Sequence, residues 1–180
     1  MRFSHSCFCL GPPRQKAKYK LGWESVTMRS NIPVEKLFPS ELLMDWNWLL
    51  TRPCTLIAMN NFGDMFLRDG KGEIQLLVLA SGSLTKIADS QAGFQSLVAV
   101  KENQRGWFSL DLLTELERAG MSLAPGQCFS FKKPLVLGGA CEVSNIEVAP
   151  ISVYVSLMGQ IHQQLKDLPP GTHVTGFKVD

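Results

Sequence analysis

The apolar residues near the end of the chain recur at the spacing of one helical face. They are Ile151, Tyr154, Val155, Met158, Ile161, His162 and Leu165. Pro150 suits a first helical position, where no N–H is needed, and Pro169 and Pro170 end the pattern. Gly159 costs about 1 kcal/mol relative to alanine inside a helix, which indicates that another segment approaches closely. The pattern predicts a long C-terminal helix over residues 149–166.

The stretch before this helix has the alternation of a strand. Phe129, Phe131, Leu135 and Leu137 are all odd-numbered. They share one face if the strand runs through Pro134. Proline donates no hydrogen bond, so it places the segment at a sheet edge or breaks it in two.

Shorter apolar runs earlier in the chain predict an antiparallel meander. The runs cover residues 54–59, 64–68, 73–79 and 84–87. An Asp-Gly-Lys-Gly turn over 69–72 joins the second run to the third. Helical patterns predict three helices before the last strand. The first covers residues 40–52, with Ser40 as its expected cap; the second begins at a cap provided by Asp89 or Ser90; and the third covers residues 109–119. The fold class predicted is α+β: a single domain, mainly antiparallel sheet, with flanking helices.

The charge of the chain is uneven. The net charge is +2, and residues 1–27 hold five basic residues and one acidic residue, which leaves 2 − 4 = −2 for residues 28–180. We therefore expect a basic, disordered leader over 1–30 and a folded domain over 31–180. The acidic body does not favour direct nucleic-acid binding. The leader alone is a weaker candidate for contact with phosphates.

The cysteine content and the hydropathy of the chain indicate the cellular compartment of the protein. Five cysteines without a secretory signal predict free thiols in a cytoplasmic protein. No apolar run approaches the ~20 residues that span a bilayer, so we expect no membrane association. His5, Cys7 and Cys9 lack a second ligand pair, so no metal site is predicted.

Residues that carry catalytic chemistry are few. The sequence has no nucleophile elbow, phosphate-binding loop or dinucleotide fingerprint, so no catalytic residue and no cofactor is predicted. His162 is interpreted as a packing residue. Asp64 is expected to form an exposed or edge ion pair with Arg68, and Asp69 is explained by its turn.

Several ordered motifs resemble one bacterial family. They are the segments 62–69 (FGDMFLRD), 126–132 (GQCFSFK), 137–139 (LGG), 145–147 (NIE), 159–162 (GQIH) and 166–172 (KDLPPGT). Over roughly residues 33–178 they resemble the C-terminal domain of immunity proteins paired with type VI secretion DNase toxins, often found after a GAD-like domain. The resemblance implies an immunity factor that neutralises a cognate nuclease toxin by direct binding, without catalysis. Because it begins near Ile32, Met28 is a candidate start of the native protein.

The expected contact surface is an exposed turn near the last strand. The predicted partner-binding residues are Gly138, Gly139, Glu142, Asn145, Glu147 and Trp48. Trp48 is either a partner anchor or a cover over the core, and homo-oligomerisation is left open. The alternative function is an uncharacterised small-molecule-binding or enzymatic α+β domain, with a deep pocket lined by His162, Asp64 or Cys128.

Overall fold

The main sheet of the protein has four antiparallel strands. A computed structural model describes residues 39–169 and 171–179. The strands are β1 (Cys54–Met59), β2 (Met65–Asp69), β3 (Ile74–Val78) and β4 (Ser83–Ala88), in the order β1-β2-β3-β4. At the β2–β3 turn the Asp69 carboxylate accepts hydrogen bonds from the main-chain N–H groups of Lys71 and Glu73. The predicted meander is confirmed.

A second, two-stranded sheet consists of β5 (Gln127–Phe131) and β6 (Ile146–Pro150), with Phe129 paired to Val148. The strand does not continue through Pro134. A 3-10 turn, Leu135–Leu137, follows the proline instead. Of the two outcomes that the proline allowed, the structure has the broken strand.

Five α-helices complete the described fold. They are α1 (Pro39–Leu42), α2 (Gln91–Val98), α3 (Lys101–Trp107), α4 (Leu110–Arg118) and α5 (Ile151–Leu165). Ser90 caps α2 by accepting a hydrogen bond from the Gly93 N–H. The predicted α+β class, with flanking helices and a long C-terminal helix, is confirmed. No helix of the described ranges combines the length and the apolar character that crossing a membrane requires.

One helical prediction was inaccurate, and one helix has no counterpart among the predictions. The pattern over 40–52 predicted one helix, but the chain forms only α1 and a 3-10 turn, Met44–Trp46, with Ser40 inside α1 rather than capping it. The indole of Trp46 donates a hydrogen bond to the Val155 carbonyl at 3.0 Å, which fixes this segment across α5. The helix α3 was not predicted, because Trp107 is its only buried residue and it lacks an apolar stripe.

The core is divided by the main sheet. Leu67 and Leu77 face a cluster that includes Val155 and Met158 of α5. Phe66 faces the opposite side, with residues of α2 and α3. A third cluster lies between α4 and the two-stranded sheet. Both faces of the sheet are thus buried, and α5 is central to the first cluster.

The glycine in the middle of α5 is explained by close packing. A Cβ on Gly159 would lie 2.7 Å from the Asp45 carbonyl oxygen. The Asp45 carboxylate also accepts a hydrogen bond from the Ser156 hydroxyl at 2.6 Å. The close approach inferred from the sequence is therefore provided by the segment before β1.

Candidate functional site

A buried polar network links the sheet to α5. The Asp64 carboxylate accepts hydrogen bonds from the Asn60 amide and from the Leu79 N–H, both at 2.8 Å. The Leu79 carbonyl lies 2.9 Å from His162 Nε2. Because a carbonyl only accepts, this contact places the proton on Nε2. Leu79 thus joins the carboxylate to the imidazole through its two main-chain groups.

Asn60 ties a third element to this network. Its amide nitrogen also donates to the Trp107 carbonyl at 2.8 Å, and its oxygen accepts from the N–H groups of Phe62 and Asp64. The sequence at this position, an Asn-Asn pair, indicates only a turn. A polar residue two positions before the Phe-Gly-Asp motif is the one available sign of its role.

Burial shifts the pKa values of the groups in the network. It raises the pKa of Asp64 to about 6, against the opposing effect of the hydrogen bonds from Asn60 and Leu79. Burial also raises the pKa of the Cys128 thiol to about 12, with a smaller contribution from Asp64. The pKa of His162 is lowered by burial and partly restored by its bond to Leu79. A thiol with a raised pKa is a poor nucleophile at neutral pH.

The space beside these groups is too small for a substrate. The cavity lined by Asp64, Tyr154 and Phe131 has a volume of about 10 Å³. That volume accommodates about one water molecule, whereas small-molecule sites are typically ~300–1,000 Å³. Among the described residues, Asp64 lines only this small cavity, and neither His162 nor Cys128 lines it, so the deep pocket that the enzymatic alternative requires is not formed by this part of the chain.

The expected ion pair between Asp64 and Arg68 is wrong. The Asp64 side chain is directed inward and only 6% of the residue is exposed, whereas Arg68 is exposed on β2. Sequence proximity suggested the arginine, but the carboxylate is bonded to Leu79, fifteen residues away along the chain.

Five of the six predicted contact residues lie in or beside the β5–β6 connection. Asn145 organises this connection: its Oδ1 accepts from the Lys133 N–H, and its Nδ2 donates to the carbonyls of Lys133 and Ala140. Gly138 has φ 80°, which favours glycine. A Cβ on Gly139 would collide with the Lys133 carbonyl oxygen. Asn145, Gly138 and Gly139 therefore shape the connection.

The carboxylates of this connection are exposed and lie among cations. Glu142 and Glu147 are both exposed, and Glu142 accepts a hydrogen bond from the Ser144 hydroxyl at 2.6 Å. Lys132 and Lys133 are exposed in the same connection, and the Lys132 ammonium donates to the Ser144 carbonyl. The surface therefore has mixed charge.

Trp48 belongs to another part of the molecule. Its indole is half-buried and stacks on Trp46 with ring centroids 6.0 Å apart. It packs against the cluster around α5, whereas the connection adjoins the cluster beneath α4. Its Nε1 is enclosed without a hydrogen-bond partner among the described residues. A role for Trp48 in partner binding stays a prediction.

The histidine and cysteine side chains bear on two predictions, the absence of a metal site and the presence of free thiols. Within residues 39–169 and 171–179, no group of three His, Cys, Asp or Glu side chains is arranged to hold a metal ion. His5, Cys7 and Cys9 lie outside the described residues. Cys54 and Cys128 are free thiols, whereas Cys141 is disulfide-bonded, contrary to the expectation of free thiols throughout.

Comparison with known proteins bears on the stretch from the end of β4 to α5. No curated protein matches the chain. Residues 88–162 match the family model described as "T6SS immunity protein Tdi1, C-terminal". The matched stretch contains the β5–β6 connection and most of α5, while the motifs at 62–69 and 166–172 lie outside it. Over residues 88–162, the chain therefore resembles the C-terminal domain of this type VI secretion immunity protein family.

Proposed function

We propose that the protein is a cytoplasmic immunity factor that neutralises a cognate type VI secretion toxin by binding it directly. The observation that carries this proposal is the match of residues 88–162 to an immunity-protein domain. The nuclease class of the toxin follows from the resemblance of the sequence motifs to immunity proteins of DNase toxins. The family match supports the immunity role, and we propose in addition that the protein contacts the toxin directly.

Binding is favoured over catalysis by the position of the titratable groups. Asp64, Cys128 and His162 are all buried, and Asp64 through both carboxylate oxygens and His162 through Nε2 form internal hydrogen bonds. The cavity beside Asp64 holds about one water. These groups stabilise the junction between the sheet and α5, and a partner would meet the surface instead.

The β5–β6 connection is the surface that we propose for the toxin. The Asn145 side chain holds it in one shape by accepting one hydrogen bond and donating two. A preorganised loop loses little conformational freedom on binding, which favours affinity. Glu142 and Glu147 present carboxylates to a nuclease cleft, which is commonly basic. Lys132 and Lys133 lie beside these carboxylates and weaken their attraction for a basic cleft.

Association with the toxin tests this surface. The toxin encoded beside the gene would be purified, and its association rate measured over a range of salt concentrations, together with survival of cells that produce it. The double variant Glu142→Lys/Glu147→Lys should bind several-fold more slowly and with less dependence on salt. The control Glu41→Lys/Glu102→Lys changes two other exposed carboxylates by the same charge and should behave as wild type.

Two results would contradict the proposal. If the wild-type protein protects cells but never binds the toxin, direct neutralisation is wrong. If a folded Cys128→Ser variant loses protection, the enzymatic alternative is favoured, because a buried thiol outside the contact surface should not be needed for binding.

A further inference from the structure

A groove of about 740 Å³ lies between the start of the β5–β6 connection and the chain that follows α5. Its apolar lining consists of Val136, Leu137, Leu165, Leu168, Val174 and Phe177. Val136 is 43% exposed and Leu168 is 42% exposed. Exposed aliphatic side chains that face a shared concavity are characteristic of binding grooves.

The chain after α5 forms a fixed wall of this groove. The Gln164 side chain donates to the Lys178 carbonyl at 2.8 Å and accepts from the Lys178 N–H at 3.2 Å. Phe177 packs against the core cluster around α5. Near the other end of the wall, the Thr172 hydroxyl donates to the Pro169 carbonyl at 2.7 Å. The wall therefore continues from α5 at one end and is bonded back to α5 at Lys178, which holds the groove in shape.

The middle of this wall has unused hydrogen-bonding groups. Within the described ranges, the main chain of residues 173–177 makes no hydrogen bond, although the residues on either side do. An unpaired stretch of main chain beside an apolar groove is suited to an added peptide strand, whose own N–H and C=O groups can pair with it.

The groove also has an unpaired positive charge. Lys133 lines it, and its ammonium forms no ion pair with any acidic residue in the described part of the chain. His173 lines the groove as well, and among the described lining residues none is acidic. The lining is thus complementary to a ligand that combines apolar groups with a carboxylate.

We propose that this groove binds an extended segment of a partner protein in which apolar side chains flank a carboxylate. The apolar side chains lie against Val136 and Leu168, the carboxylate pairs with Lys133, and the segment's main chain bonds to residues 173–177. That this partner is the toxin rests on the proposed function. The chemistry of the groove is independent of that function. Lys133 lines the groove and also belongs to the proposed toxin-binding connection, so one partner can engage both.

Selection from a peptide library tests the groove without the toxin. Random twelve-residue peptides displayed on phage would be selected on the full chain, and the enriched peptides synthesised for affinity measurement. We expect Asp or Glu flanked by aliphatic residues. Lys133→Glu should weaken binding about tenfold, and Leu168→Asp at least as much. Lys101→Glu, the same charge change on α3, should have no effect.

The outcomes separate this inference from the proposed function. Enriched peptides that bind the Lys133→Glu and Leu168→Asp variants as tightly as wild type, or no enrichment at all, would overturn the groove while leaving toxin binding intact. Groove-dependent peptides together with a toxin that does not bind would support the groove and refute the immunity mechanism. A dimer that Leu168→Asp dissociates would assign the groove to a second copy of the chain and overturn the proposal.

Discussion

Asp64 should make the protein less stable as the pH rises from about 4 to about 7. Burial raises the pKa of this carboxyl from 3.8 to about 6 in the folded protein. Between these values the folded protein holds a proton that the unfolded chain releases. The stabilisation is therefore fully present below pH 3.8 and is lost as the pH rises through about 6.

The size of the effect follows from the pKa difference. About two pKa units at 1.36 kcal/mol each correspond to roughly 3 kcal/mol of unfolding free energy. This is a large part of the ~5–15 kcal/mol that stabilises a typical domain. His162 acts in the opposite direction. Its pKa is lowered from 6.5, so its contribution is present above that pH and is lost as the pH falls.

A variant that cannot ionise at position 64 separates the two effects. Urea unfolding of wild type and of Asp64→Asn would be followed at several values between about pH 4 and about pH 7. The asparagine keeps the shape, but its amide would face the Asn60 amide, a pH-independent cost of about 1 kcal/mol. Wild type should gain about 2–3 kcal/mol relative to the variant on going from pH 7 to pH 4.

An exposed carboxylate provides the matched control for Asp64→Asn. Asp111→Asn removes a carboxylate that is 66% exposed and paired with Arg105, so it should change the unfolding free energy by less than about 1 kcal/mol. If the difference between wild type and Asp64→Asn stays constant across this pH range, Asp64 does not titrate as a buried group, and the account of the network is wrong.

The remaining predictions concern α5 and the N-terminal residues. Met158→Asp or Ile161→Asp places a charge on the buried face of α5 and should unfold the protein, whereas Val153→Asp, 58% exposed on the same helix, should melt near the wild-type temperature. Soluble Met158→Asp protein with an unchanged melting temperature would contradict the packing of α5. In reducing buffer, which opens the disulfide of Cys141, a protein that begins at Met28 should melt within a few degrees of the full chain, since residues 1–27 lack a periodic apolar pattern. A larger loss would mean that they pack on the body.

The sequence alone determined the elements that local pattern encodes. The helical spacing from Ile151 to Leu165 predicted α5 to within two residues. The Asp-Gly turn with alternating apolar residues on both sides predicted the β2–β3 hairpin. Ser90 was one of two predicted caps for the start of a helix, and it caps α2 in the structure. In these cases the side chain that fixes the conformation lies within a few residues of the main chain it fixes.

Only the tertiary structure decided features that depend on distant contacts. The helix expected over 40–52 is replaced by shorter turns because Trp46 bonds to Val155, more than a hundred residues later. The helix α3 forms because its polar side chains satisfy the end of α2: Asn103 and Gln104 donate to the carbonyls of Leu97 and Val98. Periodicity cannot reveal a helix that is held by such bonds.

The candidate sites also combine features that the sequence predicted with features that only the folded chain reveals. The exposed turn at Gly138 and Gly139 was evident from the sequence, because glycine pairs mark turns. The burial of Asp64 was not, since its partner Leu79 is brought to it only when β2 and β3 pair and the chain beyond β3 folds back. The groove beside Lys133 likewise exists only because Gln164 holds Lys178 after the chain reverses. Local sequence specifies which groups are present, whereas their burial and their partners depend on segments that meet only in the folded chain.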